Sequence, residues 1–186
     1  MQLERKGDSM EIKATGTINY NSIKALTHLG LFQKANPKKR MILWAVLYGA
    51  LFALIVLEMI VFEPVPLLFV LAGCLLLFYL FMSYLYFLAP KKRYNAMAKM
   101  KDAVNEYVFQ DNVMQVATKS ESYNGEAEIQ YAVIVKVMET SAYFFLFQTN
   151  SQVLLVEKSS VTGGTAEDIR NKFMPLIGDK YIICKY

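Results

Sequence analysis

The chain has 186 residues, of which 55% are hydrophobic, 13% aromatic and only 19% charged, with a mean hydropathy of +0.27. That composition excludes a disordered or low-complexity chain, and the length suits one modest domain or a small domain with an addition. Two cysteines cannot build a disulfide framework, since Cys74 lies in an apolar run that Cys184 is not expected to reach. The net charge of +4, from 20 Lys+Arg against 16 Asp+Glu, fits either a nucleic acid or a membrane surface when taken alone.

Residues 1–9 are polar and carry no pattern. Met10 to Thr17 alternates as a short strand, with Ile12 and Ala14 on one face. Asn19 or Asn21 then caps a helix through Ile23, Leu26 and Leu29 towards Lys34. Lys38, Lys39 and Arg40 precede a 22-residue run, Met41 to Phe62, whose only charge is Glu58. After Glu63-Pro64-Val65-Pro66 come 24 residues without charge, Val65 to Leu88, followed by Lys91, Lys92 and Arg93. As helices these runs reach roughly 33 to 36 Å, enough to cross a hydrocarbon core of about 30 Å. Neither run has the position or length of a signal peptide. An integral membrane hairpin is therefore expected, 41–62 and 65–88, with both basic flanks and both termini cytoplasmic and the short turn outside. The six basic residues serve as a topology signal or, alternatively, as a contact for anionic headgroups. Ala45, Gly49 and Ala53 recur every four residues and form a stripe for packing against the second span or for a dimer. Glu58 lies four residues from the end of its run, so its carboxylate either snorkels to the outer interface or marks an intramembrane ion or proton site.

Lys91 to Val104 reads as a basic helix leaving the membrane, after Pro90. From Glu106 the period changes to two. Tyr107–Gln110 and Val113–Lys119 are strand-like, and Asn124-Gly125 is the strongest hairpin-turn signal in the chain. Further strands are expected over Glu126–Tyr131, Val133–Glu139, Tyr143–Gln148 and Gln152–Glu157, separated by Thr140-Ser141 and Thr149-Asn150. Thr162-Gly163-Gly164 leads to a helix that Thr165 and Asp168 cap, with Ile169, Phe173 and Leu176 or Ile177 as its apolar face. Gly178 closes it, Pro175 bends its last turn, and Tyr181–Cys184 adds a final strand. The chain thus divides into an N-terminal strand and helix (1–40), the hairpin (41–88), a juxtamembrane helix (89–105) and a cytoplasmic domain (106–186). The expected class is membrane α+β. An antiparallel meander closed by one amphipathic helix is the layout of a pleckstrin-homology-like half-barrel.

The segments "YVFQDNVMQVAT", "IQYAVIVKVMET", "YFFLFQT" and "VLLVEKSSV", the helix start "TAEDI" and the basic hairpin before them carry a family resemblance. The chain resembles the YcxB-like bacterial membrane proteins over roughly residues 10 to 178, most strongly from Tyr107 to Val161. The resemblance implies a two-span anchor in a bacterial plasma membrane and a C-terminal PH-like domain. It brings no reaction. Glu157 stands where some related sequences carry Pro.

Catalytic signals are sparse. His28 is the only histidine and cannot hold zinc alone, so a surface or membrane-interface position is expected. CxxC, HExxH, GxSxG and GxGxxG are all missing from the sequence. Gly163-Gly164-Thr165 lacks the Lys and spacing of a phosphate loop, although a helix start offers N–H groups to an anion. Glu126 and Glu128 alternate on one strand face, the pattern of a solvated face more than of an acid–base pair. From Asp102 onward seven basic residues meet eleven acidic ones, the reverse of a nucleic-acid footprint. No cofactor, metal, catalytic residue or small-molecule substrate is expected. The reading is a non-enzymatic membrane-anchored module that binds a protein partner or lipid headgroup, with homo-oligomerisation open. Tyr143 to Phe147 is the stretch considered for accepting a partner strand, against domain core. The alternative is a small oligomeric transport or channel subunit built around Glu58.

Overall fold

The structure, a computed structural model, describes residues 11–32, 36–62, 65–97, 100–121 and 123–184. Met10, Lys34, Lys99, the Glu63-Pro64 part of the turn and residues 1–9 lie outside them. The fold is mixed α+β, with two long apolar helices and two four-stranded sheets, and it separates into two compact units.

The first unit joins the N-terminal segment to everything after residue 96. Strands β1 (Ile12–Thr17), β2 (Val104–Phe109), β3 (Val113–Lys119) and β4 (Asn124–Gln130) form one antiparallel sheet in that order. β1 pairs with β2 from Ile12↔Phe109 to Thr17↔Val104, so a strand before the helical hairpin and one after it are neighbours. The second sheet has the order β7 (Val153–Glu157), β6 (Tyr143–Phe147), β5 (Lys136–Glu139) and β8 (Tyr181–Ile183), with β8 parallel to β5. The sheets meet where β1 runs beside β7. Gly16 makes that meeting possible, because a Cβ there would overlap the Leu155 carbonyl. On its outer edge β1 bonds to the segment after β7: Lys13 and Thr162 exchange N–H···O bonds of 2.9 and 2.8 Å, and the Thr15 N–H donates to Ser160 Oγ at 2.8 Å.

Inward residues of both sheets make one core of Tyr107, Phe109, Met114, Phe144, Leu146 and Val156, all nearly inaccessible. Helix α5 (Ala166–Ile177) closes it with Ile169 and Phe173, both fully buried as the apolar spacing requires. The Phe173 ring meets Tyr131 edge-on at 5.0 Å. Its start is the expected capping box: Asp168 N–H donates to Thr165 Oγ1 while Asp168 Oδ2 accepts from the Thr165 N–H.

Two expectations are corrected, and of the two readings of Tyr143–Phe147 the domain-core one holds. Asn124-Gly125 is no turn: both residues sit in β4, opposite Lys119 and Thr118, and the reversal occurs at Ser120–Tyr123. Ser120 closes it by accepting the Tyr123 N–H on Oγ at 2.9 Å, and the small Gly125 leaves room for the Tyr123 ring. The helix expected to run to Val104 ends at Ala96, because Val104 is drawn into pairing with Thr17 and Asp102 takes a left-handed φ of 56°. Tyr143–Phe147 is an inner strand with Phe144, Phe145 and Leu146 fully buried, so it is core.

The second unit covers residues 23–96. Helix α1 (Tyr20–Phe32) starts from Asn19, whose Oδ1 accepts the Ser22 N–H while Ser22 Oγ accepts the Asn19 N–H. Helix α2 (Pro37–Val61) begins four residues before the apolar run, since Asn36 Oδ1 accepts from the Lys38 and Lys39 N–H groups and Pro37 takes the first turn. Helix α3 (Pro66–Ser83) passes through a π turn at Tyr84–Leu88 into α4 (Ala89–Ala96), a continuous 31-residue rod. Both α2 and this rod are long and apolar enough to cross a membrane. Their apolar side chains face outward: α3 buries no residue and α2 only Pro37 and Ile55, while Ile60 is 76% exposed.

Candidate functional site

The collar residues come first. Lys38, Lys39 and Arg40 occupy the first turn of α2, and Lys91, Lys92 and Arg93 lie in α4, all exposed and without ion pairs among the described residues. Cations in a first helical turn oppose the helix dipole, so local stability does not explain Lys38–Arg40. By helical rise, the two collars stand roughly 33 and 38 Å along their helices from the hairpin turn.

Ala45 and Gly49 line a groove of about 230 Å³ with Tyr48, Phe52, Leu75, Leu76 and Tyr79, whereas Ala53 is exposed outside it. A Cβ on Gly49 would meet nothing within 4 Å. Glu58 is exposed in the last turns of α2, where its backbone carbonyl accepts the Phe62 N–H, and no ion pair involves it among the described residues.

His28 is buried, not on the surface: it is 5% exposed and stacks on Tyr86 at 4.6 Å. Its Nε2 lies 3.2 Å from the Tyr86 carbonyl, and a bond to a carbonyl requires the Nε2–H form. In a regular α-helix that carbonyl would accept from residue 90, which is proline and has no N–H. The π turn and Pro90 thus present a backbone acceptor that α1 meets with its histidine. Burial, and to a lesser degree the charge of Lys24, lowers the His28 pKa, against the Tyr86 carbonyl that raises it.

The most elaborate polar cluster in the domain centres on Glu139, which no sequence signal singled out. Its carboxylate is 2% exposed and receives Lys158 Nζ at 2.6 Å, Arg170 Nε at 2.9 Å and Nη2 at 2.5 Å, and the Tyr181 hydroxyl at 2.6 Å. Burial pushes the carboxyl up, but the hydrogen bonds from Arg170, Lys158 and Tyr181 outweigh it and hold the pKa at about 2. Four elements converge here, and every acceptor oxygen is engaged, so the cluster is a clamp and has no group poised for proton transfer. A signal was present in hindsight: Glu139 follows Val137 at inward parity, where a charge needs partners.

Other candidates resolve simply. The α5 start is filled by its own Asp168 and Thr165, which removes the anion-site reading of Gly163-Gly164. Cys184 is buried and donates its N–H to the Glu139 carbonyl at 2.7 Å. Among the described residues, no three His, Cys, Asp or Glu side chains gather as a metal site.

The remaining surface is the outer face of the first sheet. Cross-strand pairing places Glu106 beside Ala117, Ala117 beside Glu126 and Gln115 beside Glu128. The small Ala117 leaves a hollow of about 390 Å³ edged by these three carboxylates. Glu106 is paired to Lys119 at 2.7 Å, while Glu126 and Glu128 have no ion pair among the described residues. Comparison with known proteins gave no match to a family profile, a curated protein or a solved structure.

Proposed function

We propose that the chain is a non-enzymatic, membrane-anchored interaction module of the YcxB-like type. A two-helix hairpin holds a PH-like domain at the cytoplasmic face of a bacterial plasma membrane, where it binds a protein partner or a lipid headgroup. The observation that carries the reading is the outward-facing apolar surface of two helices whose basic ends continue into one domain. Thr17 and Val104, the strand ends nearest the hairpin in sequence, are register partners, which supports a domain completed by segments from both sides of the hairpin. Lipid is the natural cover for apolar side chains as exposed as Ile60 and Phe62. Two sheets joined along β1 and β7 and capped by α5 support the PH-like reading. The acidic balance of the domain favours a protein partner over an anionic headgroup.

The test is photo-crosslinking of the full chain in native membranes, followed by mass spectrometry of what the domain captures. A reproducible protein attached through residues 104–184 supports the module. Recovery of nothing but bulk lipid from crosslinkers spread across the domain overturns it.

A further inference from the structure

The two sheets have four edges, and the molecule treats them differently. β1 and β7 run side by side, and the outer N–H groups of β1 at Lys13, Thr15 and Thr17 go to the Thr162 carbonyl, Ser160 Oγ and Glu157 Oε1. β8 is three residues long and ends its sheet. β4 is the exception: seven residues, terminal in its sheet, with five of them exposed. It has no proline and no bulge, two of the devices that usually blunt such an edge.

Pairing parity fixes what this edge offers. Ser120 N donates to the Tyr123 carbonyl at 2.9 Å, and Tyr131 N donates to the Asn112 carbonyl at 3.1 Å. Odd-numbered residues of this strand therefore bond inward to β3. The N–H and C=O groups of Asn124, Glu126, Glu128 and Gln130 point away from it, toward an incoming strand. Their side chains share the outer sheet face, with the carboxylates of Glu126 and Glu128, which have no ion pair among the described residues, beside the Ala117 hollow.

We propose that β4 is a β-augmentation site for an extended basic segment of a partner protein, with Lys or Arg at alternate positions. The backbone of the partner pairs with the outward groups at 124, 126, 128 and 130. Its alternate basic side chains lie over Glu126 and Glu128, and one enters the hollow above Ala117. Charge selects this occupant over a second copy. In the central registers, antiparallel self-pairing about Glu126 or Glu128 sets that carboxylate opposite its own copy, and pairing about Ala127 sets Glu126 opposite Glu128. This proposal rests on the interaction-module reading and names the partner's chemistry.

The probe is a fluorescein-labelled nine-residue peptide alternating lysine and valine, titrated by anisotropy against the full chain in detergent micelles. Binding is expected to weaken about tenfold or more in the Glu126→Lys/Glu128→Lys variant and to fall with added salt. Gln130→Pro separates backbone pairing from charge: the φ of −71° at Gln130 suits proline, its N–H points outward, and both carboxylates remain. It is expected to weaken binding several-fold with unchanged circular dichroism. Equal binding to wild type and both variants, or no binding at all, overturns the proposal. So does chain-to-chain crosslinking through β4 cysteines in place of peptide binding. If the crosslinked partner in membranes survives Glu126→Lys/Glu128→Lys, the edge proposal fails and the module stands. If the peptide binds β4 but membranes yield no partner, the module fails instead.

Discussion

Arg170 and Glu139 meet fork to fork, Nε to Oε2 at 2.9 Å and Nη2 to Oε1 at 2.5 Å, across 31 residues of chain. The pair joins α5 to β5, and Lys158 and Tyr181 complete it from the turn after β7 and from β8. Removing the carboxylate charge leaves two cations facing each other in a site where Lys158 is only 17% exposed. Glu139→Gln is expected to cost about 2 to 4 kcal/mol in a urea melt, at the lower end because Arg170 is partly solvated.

The same group sets an acid limit. The Glu139 carboxyl is held at about 2 in the fold against an ordinary value of 4.5. The unfolded chain binds the proton more readily, so this stabilisation is complete above about pH 4.5 and is lost as pH falls towards 2. Wild type should lose stability steeply across that window, and Glu139→Gln should follow a flatter profile. Equal profiles in parallel melts from pH 5 to 2 would refute the assignment.

His28 gives a spectroscopic readout because it is the only histidine. Its pKa in the fold lies below the unfolded 6.5, so its contribution is present above pH 6.5 and declines as pH falls through the folded value. Proton NMR of the ring should report a midpoint below 6.5 in the full chain. His28→Phe keeps a ring against Tyr86 but removes the donor to its carbonyl, and should lower stability by about 1 to 2 kcal/mol.

Gly16→Ala tests the closure between the sheets. The added methyl overlaps the Leu155 carbonyl, a backbone atom with little freedom to retreat. A loss of about 3 kcal/mol or more is expected, with β1 amides exchanging faster than those of β6 in hydrogen-exchange measurements.

The collars predict orientation. Val65→Cys in a Cys74→Ala/Cys184→Ala background should be labelled by an impermeant maleimide from outside intact cells, and Asn124→Cys should not. Changing all six collar residues to Gln should leave Val65→Cys labelled from both sides. Glu58→Gln should leave ion flux through reconstituted vesicles unchanged if the chain is an interaction module.

Much of this architecture was legible because its signals are local. The hairpin shows as two unbroken apolar runs, and α5 shows as Thr165 and Asp168 followed by Ile169 and Phe173 at helical spacing. What escaped was settled by partners distant in the chain. Asn124-Gly125 has the composition of a tight turn, but the register with Lys119 and Thr118 keeps both residues in the strand. The basic helix stops at Ala96 because Val104 finds more in pairing with Thr17 than in another helical turn. Glu139 looked like any strand-end acid, since its three partners lie 19, 31 and 42 residues away. The β4 edge follows from strand order, and strand order depends on how the N-terminal segment returns to the sheet.

That return has a consequence for biogenesis. The ribosome releases Ile12–Thr17 long before Val104–Phe109 exists, and at about 5 to 20 residues per second the wait lasts several seconds. The whole helical hairpin is made during that delay. In the membrane-anchored reading, a hairpin inserted with its ends on opposite sides would strand β1 from β2 and leave the domain unfinished.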